Sequence, residues 1–220
     1  MSQPLDPIGM FDSGVGGISV LREAVRMLPR ERFIFYGDTK NAPYGTKTPE
    51  QVRALARHVV ETLVEQGAKA IVIACNTASA LALDTVQPEF DIPIIGVLRP
   101  GAKEAARVTK NGKIGVIATE STIESQVYTE VIHSHKPNAQ VLGKPCPLFV
   151  PLVEEGWLKD PVTVEVANRY LEPLLESGID TLIMGCTHYP LLRSTLRQIM
   201  GEKVNLVNPA YETARELKAL

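Results

Sequence analysis

One segment of this chain occurs twice. The residues LVEQGAKAIVIAC (Leu63–Cys75) and LLESGIDTLIMGC (Leu174–Cys186) align at one constant offset, and upstream IGMFDS (Ile8–Ser13) aligns with IGVIAT (Ile114–Thr119). A glycine-ended helix followed by an apolar strand is common to α/β units. That shared pattern does not explain a cysteine in the same register of both copies. We therefore interpret the chain as a duplicated α/β unit, and each copy presents a cysteine where a strand leads into a helix.

Short β-branched runs alternate along the chain with stretches of helical period. The clearest helix is predicted at 49–66, with Thr48 as its N-cap and Gln51 at the capping-box position. A second helix is predicted between Asp160 and Gly178. Regular alternation of this kind predicts parallel sheets with helices on both faces. The predicted strands cover residues 8–11, 33–36, 70–74, 94–97, 114–118, 140–142, 181–184 and 204–207.

Composition limits the partners of the chain. Of 220 residues, 45% are hydrophobic and 22% are charged, which is typical of a globular protein. With 23 Lys+Arg against 25 Asp+Glu and no long run of either sign, neither nucleic acid nor a membrane surface is expected as a primary partner. Residues 1–9 do not resemble a secretory signal, and the longest apolar run, 70–75, is far shorter than the roughly 20 residues of a membrane span. Three cysteines do not make a disulfide framework, so a reducing, cytoplasmic compartment is expected.

Polar and small residues follow several of the predicted strands. Ligands of α/β sheets bind beyond the carboxyl ends of the strands, and helix N-termini favour carboxylates. We therefore expect a polar pocket for a small anion with more than one carboxylate. The motifs at these ends are Asp12-Ser13-Gly14-Val15-Gly16-Gly17, Gly37-Asp38-Thr39 with Pro43-Tyr44-Gly45, Cys75-Asn76-Thr77, Thr119 with Thr122, and Cys186-Thr187-His188.

Other chemistries fit these motifs less well. The glycines of 12–17 do not form G-x-G-x-x-G and the chain has no Walker motif, so a nucleotide is not expected. The absence of G-x-S-x-G disfavours a Ser-His-Asp hydrolase. Cys75, Cys186, His188 and Asp12 would suit zinc chemically, but no compact C-x-x-C or H-x-x-x-H pair is present, so no metal is expected.

The three cysteines are expected to differ. Free cysteine often only packs in the core, which is our interpretation of Cys146 between its two prolines. Cys75 and Cys186 each precede a predicted helix, whose N-terminus lowers the pKa of a thiol from about 8.5. His188, two residues after Cys186, is placed to assist that thiol.

The motifs FDSGVGG, GDTKNAPYG, ACNTASA and MGCTHYPLL occur in an order and spacing that resemble the bacterial glutamate racemases over essentially the whole chain. The resemblance implies two pseudo-symmetric parallel-sheet α/β domains with the active site in the cleft between them. The first domain would comprise 1–98 plus 208–220 and the second 99–207. The implied reaction interconverts L- and D-glutamate without a cofactor and supplies D-glutamate for peptidoglycan.

Residue roles follow from the same resemblance. Cys75 would take the proton from D-glutamate and Cys186 the proton from L-glutamate. Asp12 would assist Cys75, whereas His188 and Glu154 would assist Cys186. The chemistry agrees, because inverting a stereocentre by proton exchange needs a base and an acid on opposite faces of Cα. The positions that match substrate-binding residues are Asp12, Ser13, Tyr44, Gly45, Asn76, Thr77, Thr119, Thr122, Thr187 and His188.

The chain departs from this family pattern in places. Arg99 replaces a residue that is commonly acidic or neutral, and Asn208-Pro209-Ala210 stands where an Asp-Ser-Gly-like turn is usual. The sequence ends at Leu220, whereas family members usually continue for several more elements that complete the first domain. We therefore expect exposed apolar surface on that domain.

Several alternatives stay open from the residues. Glu155 stands beside Glu154 and has an equal claim by spacing. The substrate is either glutamate or another amino acid such as aspartate, since residue types do not fix the depth of a pocket. A non-catalytic homologue that binds a small anion and a metal-dependent hydrolase using the Cys/His/Asp set are the alternatives from other classes. Both a monomer and a homodimer are compatible with the sequence.

Overall fold

The computed structural model describes residues 6–220 and contains two compact units. One unit runs to Pro100 and also includes Ala210–Leu220, and the other is Gly101–Pro209. Each unit contains one four-stranded sheet in which every pairing is parallel. The predicted α/β class with two parallel sheets is confirmed. The domain limits predicted from the sequence, between residues 98 and 99 and between residues 207 and 208, remain a proposal.

Strands occupy all eight of the predicted positions. The order in the first unit is β2-β1-β3-β4, and the second unit repeats it as β6-β5-β7-β8. β6 is longer than predicted and reaches Pro145. The strands are β1 (Ile8–Asp12), β2 (Phe33–Gly37), β3 (Ala70–Ile73), β4 (Ile94–Gly96), β5 (Lys113–Ala118), β6 (Gln140–Pro145), β7 (Thr181–Gly185) and β8 (Asn205–Val207).

Both explicitly predicted helices are present. Thr48 Oγ1 accepts a hydrogen bond from the Gln51 N–H, and the Gln51 side chain accepts one from the Thr48 N–H, so the capping box is confirmed. The helices are α1 (Ile18–Met27), α2 (Pro49–Glu65), α3 (Asn76–Leu81), α4 (Leu83–Val86), α5 (Leu98–Val108), α6 (Glu120–Glu124), α7 (Val127–His135), α8 (Phe149–Glu154), α9 (Pro161–Glu176), α10 (Arg193–Met200) and α11 (Pro209–Ala219). Short 3-10 turns cover Thr39–Asn41, Tyr44–Thr46, Gln87–Glu89 and Tyr189–Leu192.

The registers of the two sheets agree with the duplication. Ile8 of β1 pairs with Ala70 of β3, and Ile114 of β5 pairs with Thr181 of β7. These are the residues that the two sequence repeats place in equivalent positions. Because strand order and register both repeat, each cysteine follows the equivalent strand of its own sheet.

Helices cover both faces of the first sheet. On one face, α2 buries Val52, Val59 and Leu63 together with apolar residues of β1 and β3. On the other face, α1 packs with α11, whose Ala214 and Leu217 are buried in the same cluster as β1 and β3 residues. A sheet buried on both faces requires continuous apolar strands, which explains why the strand runs were recognisable in the sequence.

Exposed large apolar side chains occur in both units. They include Val15, Val25 and Tyr211 in the first unit and Trp157 and Val162 in the second. Exposed apolar surface is therefore not confined to the first unit. Within residues 6–220, none of the helices combines the length and apolar character that a membrane crossing requires.

Candidate active site

The turn after β1 holds a buried carboxylate. Asp12 is the last residue of β1, and its Oδ2 accepts hydrogen bonds from the N–H groups of Gly14 (3.1 Å) and Gly17 (3.0 Å). Gly17 has to be glycine at this point, because a Cβ there would lie 2.4 Å from the Cβ of Asp12. The glycine-rich motif therefore wraps backbone around the aspartate that precedes it.

Cys75 lies where β3 leads into α3, as the sequence predicted. It is the N-cap of α3, and its Sγ accepts a hydrogen bond from the Ala78 N–H at 3.4 Å. The same thiol donates to Ser13 Oγ at 3.6 Å, and the cysteine is only 5% exposed. The β1 turn and the start of α3 thus meet at this sulfur.

The protonation of Cys75 differs from the expectation that a helix start would lower its pKa. Burial, followed by the negative charge of Asp12, raises the pKa of Cys75 from 9.0 to about 11. Hydrogen bonds from Ala78 and with Ser13 act in the opposite direction but do not offset the burial. The expected lowering is therefore wrong for this cysteine, and Cys75 is a neutral thiol at neutral pH.

Tyr44 and Asp38 form a buried pair near Cys75. The Tyr44 hydroxyl donates to Asp38 Oδ2 at 2.6 Å, and Asn41 Nδ2 donates to both oxygens of the same carboxylate. Burial raises the pKa of Tyr44, followed by its hydrogen bond to Asp38. The negative charges of Asp38, of Cys75 once its thiol has ionised, and of Asp12 add smaller contributions. The tyrosine hydroxyl therefore lies within the electrostatic reach of both Cys75 and Asp12.

In the second unit, three side chains line up behind the end of β7. Cys186 Sγ lies 3.8 Å from His188 Nδ1, and His188 Nε2 lies 3.0 Å from Glu154 Oε1. Thr187 Oγ1 is 3.4 Å from the same Nδ1 atom. Cys186, Thr187 and His188 are buried, whereas the Glu154 side chain is 54% exposed. Of the two neighbouring glutamates, the structure therefore places Glu154 against the histidine, and Glu155 caps the C-terminus of α8.

The setting of Cys186 differs from the predicted helix start. Residues 189–192 form a 3-10 turn that contains Pro190, and α10 begins only at Arg193. Pro190 has no backbone N–H to donate, which favours a short turn at this point over an α-helix that begins beside Cys186. Burial raises the pKa of Tyr128, and Cys186 adds to this effect once its thiol has ionised.

The remaining predicted residues fall at the same strand ends. Thr119 precedes α6, and its hydroxyl lies 2.9 Å from that of Thr122. Asn76 and Thr77 are the first residues of α3 and are buried, and Gly45 follows Tyr44 within its 3-10 turn.

Within the first unit, the structure thus brings Asp12, Ser13, Tyr44 and Cys75 together. Within the second unit, it brings together Glu154, Cys186, Thr187 and His188.

Asp38 is the residue whose place in this arrangement the sequence reasoning missed. Its signal was its position directly after β2, inside the motif GDTKNAPYG. Cys146 is buried as expected, and burial raises its pKa to about 12. Among residues 6–220, no group of three or more His, Cys, Asp or Glu side chains is arranged to hold a metal ion. Arg99 forms an ion pair with Asp84 at 2.7 Å.

A model of the Asp/Glu/Hydantoin racemase family matches residues 8–217. The chain is 50% identical over 212 residues to a glutamate racemase of Geobacter metallireducens, covering 96% of this chain and 78% of that protein.

Solved structures give the same result. A glutamate racemase isoform from Bacillus anthracis is 41% identical, with a TM-score of 0.96 over 99% of this chain and 82% of the other. The Francisella tularensis glutamate racemase in complex with D-glutamate is 38% identical, with a TM-score of 0.92 over 98% of this chain and 80% of the other. Sequence and structure thus agree over almost all of this chain, which belongs to the Asp/Glu/hydantoin racemase family and, within it, to the glutamate racemases.

Proposed function

We propose that this protein interconverts L- and D-glutamate by exchanging the Cα proton between two cysteines. The observation that carries the proposal is the placement of two buried, free cysteines after equivalent strands, β3 and β7, each beside its own proton-accepting side chain. A racemase that acts on both enantiomers needs one thiolate and one thiol, which exchange roles with the direction of the reaction. The proposed chemistry uses no cofactor.

Cys186 and its neighbours serve the L-enantiomer in this proposal. The Cys186 thiolate removes the Cα proton of L-glutamate. His188, whose Nδ1 lies 3.8 Å from the sulfur, accepts the thiol proton when the thiolate has to be formed. Glu154 faces the other ring nitrogen at 3.0 Å, which fixes the orientation of the imidazole.

Cys75 serves the opposite face of Cα. Its pKa is raised to about 11, so Cys75 is a thiol at neutral pH, which is the form that donates a proton to give D-glutamate. In the reverse direction Cys75 acts as the thiolate. The substrate ammonium, if it lies near Asp12, offsets the negative charge that raises the pKa of the cysteine, and so makes this thiolate easier to form.

We propose that the polar residues at the strand ends bind the substrate. Backbone N–H groups, hydroxyls and amides at these positions supply hydrogen-bond donors for two carboxylates, and Asp12 supplies a counter-charge for the amine. The residues proposed for this role are Asp12, Ser13, Tyr44, Gly45, Asn76, Thr77, Thr119, Thr122, Thr187 and His188.

The cellular setting is part of the proposal. The product D-glutamate is a precursor of peptidoglycan. Three free cysteines, two of them proposed to act as thiols and thiolates, suit a reducing compartment, and we propose the cytoplasm.

Incubation with L-glutamate in deuterium oxide, without added metal or cofactor, tests the reaction. We expect racemisation with deuterium entering at Cα, and loss of racemisation in Cys75→Ala and in Cys186→Ala. Cys146→Ala is the matched control, because it removes a buried thiol outside the proposed site and should keep the activity. If no amino acid exchanged its Cα proton, the proposal that the protein is a racemase would be refuted. Exchange with aspartate alone would show that aspartate, and not glutamate, is the substrate. Full activity in both active-site variants would refute the two-cysteine mechanism.

A further inference from the structure

We propose that Asp38 is a positioning residue for substrate binding: through the hydroxyl of Tyr44, it holds the 39–46 segment in the place where Tyr44 and Gly45 meet the substrate. This inference rests on the proposed function for its substrate, but the contacts that carry it lie entirely within the first unit. Asp38 does not touch the reacting atoms in this proposal, and it acts through its neighbour.

Asp38 joins three parts of the site. Its backbone N–H donates to the carbonyl of Asp12 at 3.0 Å, which ties the end of β2 to the end of β1. Its carboxylate accepts from Tyr44 Oη at 2.6 Å and from Asn41 Nδ2 at 2.9 and 3.1 Å. One residue therefore fixes both 3-10 turns of the segment relative to Asp12.

The segment has no regular helix or strand beyond its two short 3-10 turns. Its sequence, TKNAPYGT, has no helical or strand period, and Pro43 lacks a backbone N–H. Its backbone hydrogen bonds include the local ones from Asn41 N–H to Asp38 O and from Lys47 N–H to Tyr44 O. The bond from Tyr44 to a buried carboxylate at the end of β2 adds a tie between this segment and the sheet.

The pairing is also required by burial. Tyr44 is 1% exposed and packs in the same apolar cluster as Phe11, Cys75 and Ala78. A buried phenol needs a hydrogen-bond partner, and a bond to a charged acceptor is stronger than one between neutral groups. Losing either member leaves the other buried without that partner, so the two side chains are expected to act as one unit.

The test is a double-mutant cycle with Asp38→Ala, which removes the acceptor of the Tyr44 hydroxyl, Tyr44→Phe, which removes the donor, and the double variant. Each single change should raise the KM for glutamate about tenfold while changing kcat by less than about threefold, since one charged hydrogen bond of a binding element is lost. The KM of the double variant should be no higher than that of the more affected single variant, because both substitutions remove the same bond between Tyr44 and residue 38. Since the equilibrium constant between enantiomers is one, kcat/KM must fall equally for L- and D-glutamate, which checks the data internally.

Asp180→Ala is the matched control for stability. Asp180 also accepts several hydrogen bonds, from Thr109 Oγ1 and the N–H groups of Lys110 and Asn111, but it precedes β7 at the amino end of the second sheet. This change should lower the melting temperature without changing KM. A rise in KM in the Asp38 and Tyr44 variants then reflects placement of the substrate segment and not a general loss of stability.

Hydrogen exchange gives a readout that does not depend on activity. Amides of residues 39–47 should exchange at least about tenfold faster in Asp38→Ala and in Tyr44→Phe, and the double variant should show no further increase. Unchanged exchange in this segment, or KM effects that add in the double variant, would overturn the inference. A wild-type protein that does not racemise glutamate would instead overturn the proposed function, so the two failures are distinguishable.

Discussion

The two cysteines occupy equivalent positions but have different neighbours. The sequence repeat aligns Asp12 of the first copy with Ala118 of the second, and His188 of the second with Thr77 of the first. The carboxylate that affects Cys75 and the imidazole beside Cys186 therefore have no counterparts in the other copy. A duplicated scaffold thus carries two chemically different environments for the same thiol.

The contact between Glu154 and His188 leads to a prediction for a pair of neighbouring glutamates. Glu154→Gln should lower kcat about tenfold, because it replaces the carboxylate that faces His188. This effect is at the low end of what a hydrogen bond to a charged group contributes, because water reaches the half-exposed Glu154 side chain. Glu155→Gln is the control and should leave kcat unchanged. Steady-state kinetics with L-glutamate measure both variants, and equal effects would show that the exposed end of α8, rather than the carboxylate at His188, matters.

Cys75 should make the protein less stable at alkaline pH. Its pKa is raised from 9.0 to about 11 in the folded state, so between these values the unfolded chain loses the proton first. Unfolding is then favoured as pH rises, and at about pH 10 the cost is about 1.4 kcal/mol, whereas at about pH 7 it is close to zero. The stability is fully present below the unfolded pKa and is lost as pH rises through the folded value.

Denaturant unfolding at both pH values measures this effect. Cys75→Ala also loses packing, but that loss should be similar at both pH values, so only the difference between them is compared. The variant should lose about 1.4 kcal/mol less than the wild type on going from about pH 7 to about pH 10. An equal loss in both proteins would contradict a raised pKa for this thiol.

At the scale of elements, the turn between β1 and α1 predicts different outcomes for the same substitution at two of its glycines, Gly17 and Gly14. Gly17→Ala should cost about 2 kcal/mol and lower the melting temperature by roughly 4–8 °C, because the new Cβ would lie 2.4 Å from the Cβ of Asp12. It should also abolish most of the activity, because Asp12 has to shift. Gly14→Ala should be tolerated, since a Cβ there meets nothing within 4 Å. Calorimetry and racemisation rates check both, and equal melting temperatures would contradict the close approach.

The elements that the sequence predicted best are those with a strong local signal. All eight strands lie where apolar runs stand between glycines and polar turns, and α2 begins at its capping box. The 3-10 turns at 39–41 and 44–46 were not predicted, because small and polar residues there have no period. The 3-10 turn after Cys186 was mistaken for a helix start, although Pro190 was a signal against it.

The candidate site was predictable by position but not by energetics. Strand ends located Cys75, Cys186 and their polar neighbours, since the ends of parallel strands lie at one edge of a sheet. The pKa of Cys75 could not be predicted, because it depends on burial and on the distance to Asp12, which only the folded chain sets. The resemblance named Glu154 beside His188, but the spacing left Glu155 open, and only the structure shows which of the two glutamates contacts the histidine, because α8 and β7 are distant in sequence.

At the scale of the whole molecule, the first unit is built from two separate stretches of chain. The chain leaves it near Pro100, forms the second unit, and returns at Ala210. The returning helix α11 buries Ala214 and Leu217 against α1 and the first sheet. The second unit is thus a continuous insertion, and the stability of the first depends on a segment that follows the insertion.

This arrangement predicts that damage to α11 affects one unit more than the other. Leu217→Ala should destabilise the first unit by about 2–3 kcal/mol, because Leu217 is buried in its core. Tyr211→Ala on the same helix is the control, since Tyr211 is 45% exposed.

Two optical signals distinguish the units. Trp157 is the only tryptophan of the chain and lies in the second unit, so its fluorescence follows that unit, whereas far-ultraviolet circular dichroism follows both. In Leu217→Ala, part of the dichroism transition should move to lower denaturant while the fluorescence midpoint stays in place. If both midpoints moved together by the same amount, the two units would unfold as one cooperative structure, and the loss at α11 would be shared by the whole molecule.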